Sequence, residues 1–99
     1  HDPALLKRTW EGLKAVLAPG ALDPLTKEMI YIAVSATNGC DYCIYSHTAS
    51  ARAKGMSEAQ LMEVLAVTAM ANQTNRLANG LKPPVDVQLE PEEAGAGSL

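Results

Sequence analysis

The sequence predicts an all-α fold, and three observations carry that prediction. Alanine and leucine dominate, β-branched residues are sparse, phenylalanine is absent and tryptophan occurs once in 99 residues, a composition suited to helices packed closely through small side chains. Apolar residues recur at helical spacing along successive stretches of the chain. These stretches are bracketed by start and stop signals: Asp-Pro at Asp2 and Asp23, Ser57 followed by Gln60, Asn-Gly at Asn38, and glycines at Gly55 and Gly80.

The first helix, residues 3 to 18, places Leu6, Trp10, Leu13 and Leu17 on one side and Lys7, Arg8, Glu11 and Lys14 on the other, with Asp2 as cap and Pro3 at the first helical position. Trp10 is expected to pack into the core rather than stack on a ligand. Pro19 and Gly20 form a connector to a second helix over about residues 24 to 37. After Glu28 that helix reads "MIYIAVSA", apolar nearly all round, so it is expected to be buried on several sides. A third helix runs from Cys40 or Asp41 to Lys54. The fourth covers about 58 to 79, closed by Gly80, with Leu61, Met62, Val64, Leu65, Val67 and Met70 spread over more than one side.

Residues 1–82 therefore form one helical domain, and 83–99, with two prolines, acidic residues and "EAGAGSL", a flexible tail. Two helices apolar on most faces exceed what a four-helix domain of this size can cover, so the subunit is expected to self-associate. A net charge of −3 without any basic block argues against nucleic acid. No apolar run reaches the roughly 20 residues of a membrane span and no secretory leader pattern is present, which gives the expectation of a cytoplasmic protein with no membrane partner.

The chemistry-bearing stretch is "NGCDYCIYSHTASARAKG", residues 38 to 55, which contains both cysteines of the chain and His47. At about 100° per residue, Cys43 lies about 60° and His47 about 20° from Cys40, so all three are expected on one face. The first helical turn offers unpaired amides and the positive end of the dipole, which favours thiolate at both sulfurs. His47 follows Cys43 by four residues, the neighbour spacing of a helix, so Cys43 is the histidine-assisted sulfur. A dipole contribution of about 0.3–1 kcal/mol moves a thiol pKa by less than one unit from roughly 8.5. Even a pKa near 7 gains only about 15-fold in thiolate and returns about fivefold of that in lost nucleophilicity. A histidine at this place therefore matters more for moving protons than for holding a static thiolate.

Structural zinc lacks a second ligand pair, and covalent haem attachment would need histidine where the chain has Ile44, so no cofactor is expected. A mononuclear metal site of Cys40, Cys43, His47 and a carboxylate stays open. By itself Glu28, near a helix start, reads as a solvated carboxylate favourable to the dipole.

Glu28, eleven residues, Cys40, two residues, Cys43, three residues, His47, together with the wording "GCDYCIYSHT", resembles the signature of the carboxymuconolactone decarboxylase superfamily, in its alkylhydroperoxidase D-like branch. The resemblance covers about Asp23 to Asn79. It implies a helical subunit assembling as a trimer or hexamer, and a thiol peroxidase acting on hydroperoxides. It further implies that Cys43 attacks the peroxide, that Cys40 resolves the sulfenic acid to a disulfide, that His47 and Glu28 form a proton relay, and that a lipoyl-type or protein dithiol restores the pair. Some members have a histidine between the cysteines where this chain has Asp41 and Tyr42. Three other readings are a general dithiol–disulfide oxidoreductase, a lactone decarboxylase-like enzyme and a metal-binding structural module.

Overall fold

Short polar side chains start the helices where the sequence places them. Asp2 accepts the amides of Ala4 and Leu5, both at 3.1 Å, and opens α1 (Pro3–Leu17). Asp23 opens α2 (Pro24–Asn38); the Thr26 amide at 2.8 Å and hydroxyl at 3.0 Å hold its carboxyl below the ordinary value. Cys40 caps α3 (Asp41–Ala53), and Ser57 with Gln60 forms a reciprocal capping box at the start of α4 (Glu58–Leu81). The computed structural model describes residues 2–85, so the tail expected over 83–99 falls outside it from residue 86 onward. No helix among the described residues is long and apolar enough to cross a membrane.

The stops differ in one place from expectation. Gly39 takes the left-handed conformation (φ 71°, ψ 32°) and ends α2 as predicted. Gly80, in contrast, lies inside α4, which continues to Leu81 and closes on Lys82 at φ 47° with its amide on the Ala78 carbonyl at 2.8 Å. Pro83 supplies the reason, because the residue before a proline is disfavoured in the right-handed helical region.

α2 is the hub, and α1, α3 and α4 each pack on it. The core consists of Ile32, Ala51 and Met56, with Leu25, Met29, Leu61, Val64 and Leu65 packed around them. α1 contributes no buried residue. It is held at its C-terminal end, where Lys27 Nζ donates to the carbonyls of Val16 at 2.9 Å and Ala18 at 2.6 Å.

Two packing expectations are corrected. Trp10 is 58% exposed rather than in the core, because α1 has only α2 to pack against and leaves most of its apolar stripe without a partner. α2 is covered on three sides but not all round, with Ile30 and Val34 half exposed, and α4 leaves Met62, Val67 and Met70 in solvent. The domain is all-α as the sequence predicts; its apolar faces are more numerous than one subunit buries.

Candidate active site

The two-residue link Gly39–Cys40 brings α2 and α3 together. The Cys40 amide donates to the Ser35 carbonyl at 3.0 Å, completing the turn that the left-handed Gly39 begins. Cys40 has extended backbone angles (φ −89°, ψ 92°) and is therefore a cap, not a helical residue. The helical-wheel angle expected for it does not apply. Its sulfur accepts the Cys43 amide at 3.4 Å, and the two sulfurs are joined as a disulfide across a Cα–Cα distance of 5.3 Å. Cys43 is the third residue of α3, in the turn where amides are unpaired.

Behind the disulfide lies a buried polar cluster. Glu28 is only 3% exposed, which corrects the solvated reading of that carboxylate; α3 lies across it and replaces water by protein donors. Its Oε1 is 2.6 Å from His47 Nδ1. Its Oε2 accepts from Ser50 Oγ at 2.6 Å and from Lys54 Nζ at 3.3 Å, and Lys54 also donates to Ser50 Oγ at 2.8 Å. Burial pushes the Glu28 carboxyl up, but the bonds from Ser50, His47 and Lys54 outweigh it and hold the group below its ordinary value. The Tyr31 ring stacks on His47 with centroids 3.7 Å apart and planes 25° from parallel, fixing the imidazole's tilt.

Two cavities meet at Cys43. The larger, about 620 Å3, is walled by apolar side chains that include Val16, Leu22, Ile30 and Val34, and both cysteines line it. The smaller, about 320 Å3, is lined by Cys43, His47, Glu28 and Ser50 on one side and by Trp10 and Lys14 of α1 on the other. In this disulfide form no hydrogen bond joins His47 to either sulfur among the described residues; the two share a cavity instead. His47 Nε2 has no hydrogen-bond partner there and is not sealed from solvent. Among the described residues no cluster of three or more His, Cys, Asp and Glu side chains is arranged to hold a metal ion.

The structure thus brings Cys40, Cys43, His47 and Glu28 into one site. Sequence reasoning missed Ser50, Lys54 and Tyr31. The signal was present: Ser50 follows His47 by three residues, Lys54 follows Ser50 by four, and Tyr31 follows Glu28 by three, so each lies on the face its helix turns to the other.

Residues 3–85 match the profile of the carboxymuconolactone decarboxylase family. The solved alkylhydroperoxidase AhpD core of Rhodospirillum rubrum is 63% identical, with a TM-score of 0.81 over 86% of this chain and 63% of that one. The uncharacterized protein 4 in the cox locus of Paracoccus denitrificans is 43% identical over 57% of this chain and 50% of its own length. The alkyl hydroperoxide reductase AhpD of Solibacter usitatus is 33% identical over 77% of this chain and 39% of its own length. The chain spans about half the length of the curated relatives it matches.

Proposed function

The chain belongs to the carboxymuconolactone decarboxylase family, in its alkylhydroperoxidase D-like branch, and from that premise we propose that it is a thiol-dependent peroxidase. The observation that carries the proposal is the pair of sulfurs at the start of α3 beside a histidine whose other nitrogen is tied to a buried carboxylate. The activity resides in the helical domain of residues 1–82.

In the reduced protein, His47 Nε2 takes the Cys43 thiol proton. The thiolate attacks the terminal oxygen of a hydroperoxide, the O–O bond breaks, and the departing alkoxide takes a proton from the imidazolium, leaving Cys43 as a sulfenic acid and releasing an alcohol. The Cys40 thiolate then attacks the Cys43 sulfur, and hydroxide leaves with a proton as water. The product is a Cys40–Cys43 disulfide, a reading supported by the closeness of the two sulfurs at the start of α3. An external dithiol, of lipoyl type or on a protein, restores both thiols by two exchanges and is itself oxidised to a disulfide. The cycle draws on no cofactor, and its need for a dithiol donor fits the cytoplasm. The apolar walls of the larger cavity suit the carbon part of an organic hydroperoxide.

Peroxide consumption with a supplied dithiol tests the assignment. Cys43→Ser should fall to the background rate, whereas Cys40→Ser should complete one turnover and stop at a sulfenic acid that a dimedone-type reagent captures. Sustained turnover by Cys43→Ser would remove Cys43 as the nucleophile.

A further inference from the structure

The bonds around Glu28 fix the direction in which each proton points. Lys54 Nζ has donors only, so in its 2.8 Å bond to Ser50 the hydroxyl oxygen accepts. The single hydroxyl proton of Ser50 is then left to donate to Glu28 Oε2 at 2.6 Å, and Lys54 reaches the same oxygen at 3.3 Å. Oε2 thus faces two donors and has no acceptor to which it could offer a proton. With the carboxyl ionised, the 2.6 Å contact of Oε1 with His47 requires the ring proton on Nδ1. The lone pair of neutral His47 is then on Nε2, the ring nitrogen without a hydrogen-bond partner among the described residues, and His47 and Cys43 line the same cavity.

We propose that Ser50 and Lys54 are positioning residues that keep Glu28 a standing anion, so that His47 alone exchanges protons with Cys43, through Nε2, and Glu28 never receives one. This replaces a two-member relay by a one-proton shuttle on a fixed anchor. The part concerning Cys43 rests on the peroxidase reading; the tautomer does not. Lys54 is matched to the task because its side chain is partly exposed while Glu28's is not. It brings a charge to the buried carboxylate without being buried itself, avoiding most of the desolvation cost of a fully interior ion. Tyr31 stacks on one face of the ring and restricts the plane in which the imidazole meets the carboxylate.

Nitrogen NMR of the histidine-labelled chain, at a pH where the ring is neutral, reads the tautomer directly and needs no substrate. The wild type should show His47 with its proton on Nδ1. Ser50→Ala and Lys54→Met should show a mixture of tautomers, and Lys54→Arg should restore the single form. In parallel, kcat/KM for peroxide should fall about tenfold in Lys54→Met, a part of the about 10²–10⁴-fold that general acid–base catalysis supplies, and should recover in Lys54→Arg. A proton inventory of the wild type should be linear, as for one proton in flight. A wild-type Nε2–H tautomer, an unchanged tautomer in both Ser50→Ala and Lys54→Met, or a curved inventory requiring two protons overturns the proposal. The expected tautomers with no peroxide consumption would support the anchor and overturn the peroxidase reading, so the two fail separately.

Discussion

At the scale of single residues, the site is governed by a buried carboxylate that stays ionised. Glu28 is held below its ordinary value of 4.5, so as pH falls the unfolded chain takes up this proton before the folded one does. The stability it contributes is complete above about pH 4.5 and is lost as pH falls through the lower folded value. Urea midpoints should therefore be level above about pH 6 and decline in acid, and Glu28→Gln should lose that part of the decline; an identical slope in the variant would assign it to another group. Losing the charge-assisted bonds should also cost the variant about 1–3 kcal/mol at neutral pH. Cysteine and histidine were legible in the sequence because so few side chains carry their chemistry. Ser50 and Lys54 were legible only as residues on the face of His47, since serine and lysine on a helix surface ordinarily face water. Their role exists only once α2 lies across α3 and Glu28 is closed off from solvent.

At the scale of elements, the α2–α3 turn and the attachment of α1 decide whether the site forms. Gly39 sits at φ 71° with open space where a Cβ would be, so Gly39→Ala should destabilise by conformation alone, by about 1–2 kcal/mol. Chemical denaturation of that variant checks the figure, and a loss below about 0.3 kcal/mol would mean that the turn relaxes. α1 depends on the Lys27 bonds to the Val16 and Ala18 carbonyls. In Lys27→Met, amide hydrogen exchange should accelerate throughout α1 while α2 keeps its protection, and the walls contributed by Val16, Leu17 and Trp10 should loosen from both cavities. Equal acceleration in α2 would show that α1 does not open independently. Helix starts were legible because Asp2, Asp23 and Ser57 satisfy specific unpaired amides. The end of α4 was misread because glycine is only about 1 kcal/mol worse than alanine inside a helix, whereas the proline three residues later imposes a firmer limit.

At the scale of the whole molecule, the apolar surface of one subunit remains to be accounted for. Val67, Met70, Leu77 and Leu81 follow one another along an exposed face of α4 at spacings of three, seven and four residues. We propose that this face is covered in a trimer or hexamer. Sedimentation should give a multiple of the chain mass, and Met70→Glu should shift it to the single chain while far-ultraviolet circular dichroism stays helical; a wild type that sediments as one chain would overturn this. The helical class was legible from composition and caps. The small core was not, because apolar patterning marks which faces seek cover without saying whether the same chain supplies it, and so Trp10 was assigned to an interior that α1 does not have. In the proposed cycle Cys43 and Cys40 together give two electrons to a peroxide. Intact-mass spectrometry of the fully reduced chain before and after one equivalent of an organic hydroperoxide decides whether they do. Loss of two hydrogens per chain in the wild type, with Cys43→Ser forming no such disulfide, is the predicted result; an unchanged wild-type mass, or the same loss in Cys43→Ser, would contradict it.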